Sequence, residues 1–152
     1  MQRKDRKFAT PLAFALLIAT VALQGCALFV SHYDAGAYQN FTNLKAYHVK
    51  FLEDNKSGEG KLFDEAKTKT ACDTGELKFR EASEYANGKQ DTTRVKAIDY
   101  LHNAFNKECE LLTLKSKKLF GSEYVVQETE QIKQNYDWAI AGECARVGTP
   151  TK

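Results

Sequence analysis

The chain is poor in residues that break helices. Of its 152 residues only two are proline, Pro11 and Pro150, and both lie near its ends. A Pro-rich linker is thereby excluded, and a helix between those positions meets no residue lacking an amide donor. Histidine is scarce as well, with only His32, His48 and His102. A metal centre needs three or four converging ligands, and these three are scattered. There is no Cys-x-x-Cys and no Cys-x-x-Cys-His, which argues against thioredoxin-type redox chemistry and covalent haem. Glu-x-x-His of carboxylate-bridged diiron bundles is missing. So are a Gly-rich phosphate loop after a strand and a Gly-x-Ser-x-Gly elbow. No stretch alternates convincingly with the period of a strand, and no internal repeat or low-complexity segment occurs. The sequence therefore offers no catalytic residues, no metal ligands and no cofactor motif.

Positive charge is concentrated at the start. Arg3, Lys4, Arg6 and Lys7 precede a 16-residue stretch, Phe8 to Leu23, that is apolar apart from Thr10, Pro11 and Thr20. A spanning helix wants about 20 apolar residues, so an uncleaved anchor fits this stretch less well than a signal peptide. A basic head, a short apolar core and a small residue before the cut form the signal-peptide layout. The core ends in Leu23-Gln24-Gly25-Cys26. With Leu23 three places before the cysteine and Gly25 directly before it, residues 1–26 resemble a bacterial lipoprotein precursor with its lipobox. Gln24 departs from the small or β-branched residue usual at its place.

That resemblance implies cleavage between Gly25 and Cys26 and acylation of Cys26. Several acyl chains on one residue exceed the two signals that stable anchoring to a bilayer requires. Ala27, where an aspartate would retain an enterobacterial lipoprotein in the inner membrane, implies the periplasmic face of the outer membrane. Residues 1–25 are then the signal peptide, 26–33 the acylated cysteine and a short tether, 34–148 one domain, and 149–152 a tail. The tether, at most about 25 Å when extended, starts apolar (Ala27, Leu28, Phe29, Val30). It holds the domain close to its membrane.

Removing residues 1–25 lowers Lys plus Arg from 22 to 18 and Asp plus Glu from 20 to 19, so the net charge passes from +2 to −1. The basic character belongs to the discarded peptide, and no basic patch argues for nucleic acid.

From Asp34 onward apolar residues recur every three or four positions, which predicts helices. The first, about Asp34–Asp54, is capped by Asp34 and carries Tyr38, Phe41, Leu44, His48 and Phe51 on one stripe. Residues 55–60 break it. The second, about Lys61–Ala86, is sparse in apolar residues, and Gly75 is a place for it to kink. Asn87-Gly88 stops it. The third, about Thr92–Leu119, has a seam of Val95, Ile98, His102, Phe105, Cys109, Leu112, Ser116 and Leu119. The fourth, about Ser122–Arg146 with Ser122 as cap, carries Val125, Thr129, Ile132, Tyr136 and Ala139. Four helices with short connections predict an all-α, up-down antiparallel bundle. The alternative is a three-helix core with the second helix broken.

Cys72, Cys109 and Cys144 remain, an odd number in an oxidising compartment. With a turn near residue 90, position 72 is level with about 108 at the helical rise. This predicts a Cys72–Cys109 disulfide. Cys144 lies too far along the bundle from either. As a leftover thiol it is read as a small buried hydrophobe, with a reactive thiol or an intermolecular bridge as the functional alternative. The same level counting places His48 near the distal end and His102 toward the membrane end, each as a satisfied core or boundary histidine.

Anchoring without a recognisable reaction leads to the expectation of a non-catalytic lipoprotein whose helical domain binds an envelope protein, as an accessory, exclusion or inhibitor module. The alternative is a small-molecule binder using the bundle interior, with His102, Cys109 and aromatics lining a cavity.

Overall fold

The computed structural model describes residues 32–148. The expected signal peptide, the expected lipobox with Cys26, most of the expected tether and the expected tail lie outside the described residues. The domain contains four helices: α1 (Ala35–Asp54), α2 (Glu65–Gly88), α3 (Thr92–Glu110) and α4 (Ser122–Cys144). A π-helical segment, Leu111–Ser116, prolongs α3, and a 3-10 turn, Ala145–Gly148, follows α4. They form the all-α antiparallel bundle that the apolar spacing predicts. α1 packs most extensively on α4 and α2 on α3, whereas α3 and α4 touch least.

Aspartates start three of the helices, because a carboxylate can take up amide donors that a first turn leaves unpaired. Asp34 accepts from the amides of Gly36 and Ala37, Asp64 from Lys67, and Asp91 from Thr93 and Arg94. α4 differs from expectation. Gly121 precedes it without a side-chain bond, and Ser122 is already helical.

The second helix is not broken. It runs through Gly75, which lies buried against the ring of Phe105, where a Cβ would collide with that ring. The glycine is therefore a point of close approach between α2 and α3, not a kink. Four residues past it, Phe79 enters the core together with Ala82 and Ala86. The Cys72–Cys109 disulfide joins the same two helices, with Cα atoms 5.9 Å apart.

The seam of α3 is rotated from the predicted one. Its buried positions are Arg94, Ile98, Leu101, Phe105, Glu108 and Leu112, while Val95, His102 and Cys109 are half-buried. One residue is about 100° of helical rotation, so the true stripe runs between neighbouring apolar residues and takes two charged ones inward. The third helix also ends earlier than its apolar pattern suggests. After Glu110 the backbone widens into the π-helical turn, which Lys117 closes with a left-handed φ of 48°. The α2–α3 turn likewise uses a non-glycine left-handed residue, Gln90, whereas Gly88 is still helical. At the other end of the bundle, the loop after α1 meets the α3–α4 connection. The Phe120 amide donates to the Asn55 carbonyl and the Ser57 amide to the Phe120 carbonyl.

Candidate functional site

The two histidines come closer together than level counting allows. The Phe79 ring lies between them, stacked on His102 at 4.8 Å and edge-on to His48 at 6.3 Å. Across the bundle His48 reaches Phe105 and Glu108 of α3, about one and nearly two turns beyond His102. Each has a separate partner. His102 Nε2 bonds Glu76 on α2 at the edge of the bundle. Among the described residues, no group of three or more His, Cys, Asp or Glu side chains is placed to hold a metal ion.

His48 is fully buried and belongs to a polar unit that the apolar pattern does not announce. Its Nε2 is 2.8 Å from Glu108 Oε2, and its Nδ1 is 3.3 Å from the Tyr136 hydroxyl. With the Tyr136 hydroxyl donating to Nδ1, the ring carries its proton on Nε2 and donates it to Glu108. Three helices, α1, α3 and α4, are tied together by this chain. Burial pushes the Glu108 carboxyl above the ordinary carboxylate value of 4.5, although the bond from His48 opposes the shift. Burial likewise raises the Tyr136 phenol, and the nearby Glu108 adds to it. Oε1 of Glu108 is buried and meets no hydrogen-bond donor among the described residues.

A second buried polar cluster closes the end of the bundle where α2 turns into α3. Arg94 donates from Nε and Nη2 to the two carboxylate oxygens of Glu143 at 2.7 and 2.8 Å. Its Nη1 is 2.9 Å from Asp91, and Arg146 bonds the same Asp91 oxygen at 2.6 Å. Such a bidentate fork is the strongest form of side-chain ion pair. The cluster fastens the start of α3 to the end of α4 and reads as structure. Nearby, Asp34 accepts from the Tyr85 hydroxyl at 2.7 Å. Burial raises the Asp34 carboxyl, but the bonds from Tyr85, Ala37, Lys89 and Gly36 together hold it below its ordinary 3.8.

Of the sequence-predicted site residues, Cys72 and Cys109 are joined as expected. Cys144 is corrected: it is a free thiol on an exposed part of α4, not a buried hydrophobe. Its neighbour Glu143 takes the inward place because Arg94 is there to pair with it. The interior at the level of His48 is occupied by Phe79, Phe105 and Tyr136, so the disulfide and the His102–Glu76 pair flank a packed core.

The surface is more informative where α3 and α4 diverge. Tyr100 and Trp138 are 60% and 66% exposed. Both line one open trough, whose other residues are the charged Glu130, Lys133 and Asp137 and the amides Gln131, Gln134 and Asn135, all on α4. Scattered apolar residues on a surface are ordinary, but two large aromatics facing one trough are a feature of recognition surfaces. Compared with protein-family models, curated proteins and solved structures, the chain matches none.

Proposed function

We propose that this protein is a lipoprotein of the bacterial cell envelope, anchored through acylated Cys26, whose helical bundle is a non-catalytic module that binds a protein partner. The observation that carries the partner reading is the open trough along α4, where Tyr100 and Trp138, each more than half exposed, stand among charged and amide side chains. Aromatic side chains bury much area at little entropic cost, which is why they dominate binding energy at interfaces. Two further features support the reading. The histidines, the paired cysteines and Glu143 are engaged in contacts between the helices of the bundle. The lipobox and the short tether supply the address and keep the domain near its membrane.

The test uses a photoreactive side chain introduced at position 138 or 100 in the native host. A discrete crosslinked product from both positions, absent when the probe replaces exposed Lys69 on α2, is the expected result. Equal labelling from all three positions, or none, overturns the assignment of this face. Separately, Cys26→Ala is expected to release the protein from membranes under carbonate washing. Retention would remove the anchoring half of the reading.

A further inference from the structure

We propose that the cleft between α3 and α4 floored by Glu108 is a binding site for a small organic cation, a primary ammonium or guanidinium group on a short aliphatic stem. The cleft has a volume of about 410 Å³ and is lined by Tyr100, Asn103, Ala104, Lys107, Glu108, Leu111, Tyr124, Glu128, Gln131, Ile132 and Asn135. It exists because these two helices pack least closely of the neighbouring pairs, and because the backbone of α3 widens into its π-helical turn at Leu111. π-helical turns recur at functional sites.

Three observations select the ligand class. The first is Glu108. It is 2% exposed, one carboxylate oxygen is held by His48, and the other meets no donor. A buried acceptor left unpaired is costly, and this one belongs to a residue in the wall of the cleft. The unpaired oxygen is itself buried, so a donor entering the cleft reaches it by displacing the side chains that cover it. The second is charge. Glu128 joins Glu108 in the lining, and both act on Tyr124. Burial first, then these two carboxylates, push its phenol up to about 12. Lys107 is the one basic residue in the lining, and it is exposed. The third is shape and surface. Ala104, Leu111 and Ile132 supply an apolar wall for a stem, and Tyr100 and Tyr124 offer ring faces that attract a cation. Two carboxylates in so large a space do not make a metal site, which needs more oxygen ligands close together. An organic cation both fills the volume and donates to Glu108.

The site shares Tyr100, Gln131 and Asn135 with the trough, but amine binding is read without a protein partner, so the two readings fail separately. Titration calorimetry of the purified full chain in detergent micelles, against a micelle blank, tests it with n-pentylammonium. Pentanol, of equal size but uncharged, is the control. The expected result is saturable binding of the amine with a Kd on the order of 0.1 mM, within the per-atom limit for so small a ligand. Pentanol is expected to bind at least about tenfold more weakly. Glu108→Gln is expected to weaken the amine by about tenfold or more, and Glu128→Gln by about threefold. Glu84→Gln, on exposed α2, should leave it unchanged. Because Glu108→Gln also touches the core, Glu128→Gln keeps the proposal falsifiable if the first variant does not fold. A parallel titration with an N-acetyl-lysine amide distinguishes sources. A tighter free amine points to a small metabolite, and a tighter lysine amide points to a side chain offered by a peptide. No saturation of either cation by about 10 mM, equal affinity for pentanol, or unchanged affinity in both glutamine variants overturns the proposal.

Discussion

His48 and Glu108 are a buried pair in which each group depends on the other. Glu108 already has one oxygen without a donor, so removing His48 would strip the other. His48→Ala is expected to lower the free energy of unfolding by about 2–4 kcal/mol, read by urea denaturation, because a buried carboxylate is left unpaired as well as a cavity opened. The two carboxylates with displaced titrations leave opposite signatures in pH. The Glu108 carboxyl titrates above 4.5 in the folded state, so its contribution favours folding at low pH and is lost as pH rises through the folded value. Asp34 titrates below 3.8. Its contribution is present above that value and is lost as pH falls through the folded one. Asp34→Asn keeps a capping oxygen but removes the charge that faces Lys89 and the start of α1, so it is expected to cost about 0.5–1 kcal/mol at neutral pH, with the difference from wild type closing in acid. Glu108→Gln is expected to flatten the decline of stability above pH 4.5. Stability measured by denaturation at a series of pH values checks both signs. Gly75→Ala is a third test at this scale. Its methyl group would run into Phe105, so a loss of about 1–3 kcal/mol is expected from overpacking, despite alanine's better helix propensity.

Among the elements, α2 depends most on its neighbours. Its apolar content is low, and what fastens it is the close approach at Gly75, the Phe79 ring and the bridge from Cys72 to Cys109. The two cysteines are 37 residues apart in sequence. Cys72→Ser combined with Cys109→Ser is expected to reduce stability by about 3–4 kcal/mol on the chain-entropy account, with α2 the first helix to lose amide protection in hydrogen exchange. Cys144 should behave differently. As an exposed thiol on α4 it should take up one maleimide without denaturant in a chain whose Cys26 is blocked by the proposed acylation, whereas Cys72 and Cys109 should react only after reduction. Mass mapping distinguishes the three. The third helix shows what periodicity can and cannot reveal. Ile98, Phe105 and Leu112 are on the predicted seam and are buried. Arg94 and Glu108 displaced Val95 and Cys109 because their partners, Glu143 and His48, come from α4 and α1. Nothing on α3 itself distinguishes the two rotations.

At the scale of the whole molecule the bundle is two well-packed helix pairs, α1 with α4 and α2 with α3, leaving an open side where α3 faces α4. The trough and the Glu108 cleft both lie there and share Tyr100, Gln131 and Asn135. Alanine at Tyr100 or Trp138 is expected to change stability by no more than about 0.5 kcal/mol, since both are largely exposed. A large thermal shift from either variant would mean that the side chain supports the fold and is not held ready for a partner.

Four helices, their order, the aspartate cap at Asp34, and the level of Cys72 with Cys109 are local or nearly local matters. Helical period, breaker residues and a rise of 1.5 Å per residue are enough for the bundle and for the one disulfide, because short connections leave antiparallel packing little freedom. The polar interior is of another kind. That His48 meets Glu108 and Tyr136, that Arg94 meets Glu143, and that Cys144 turns outward are decided by side chains far apart in sequence, each tolerable inside only because its partner arrives from another helix. A buried charge is set by its partner and not by its neighbours along the chain, so these pairings exist only in the tertiary structure, as does the cleft that they leave between α3 and α4.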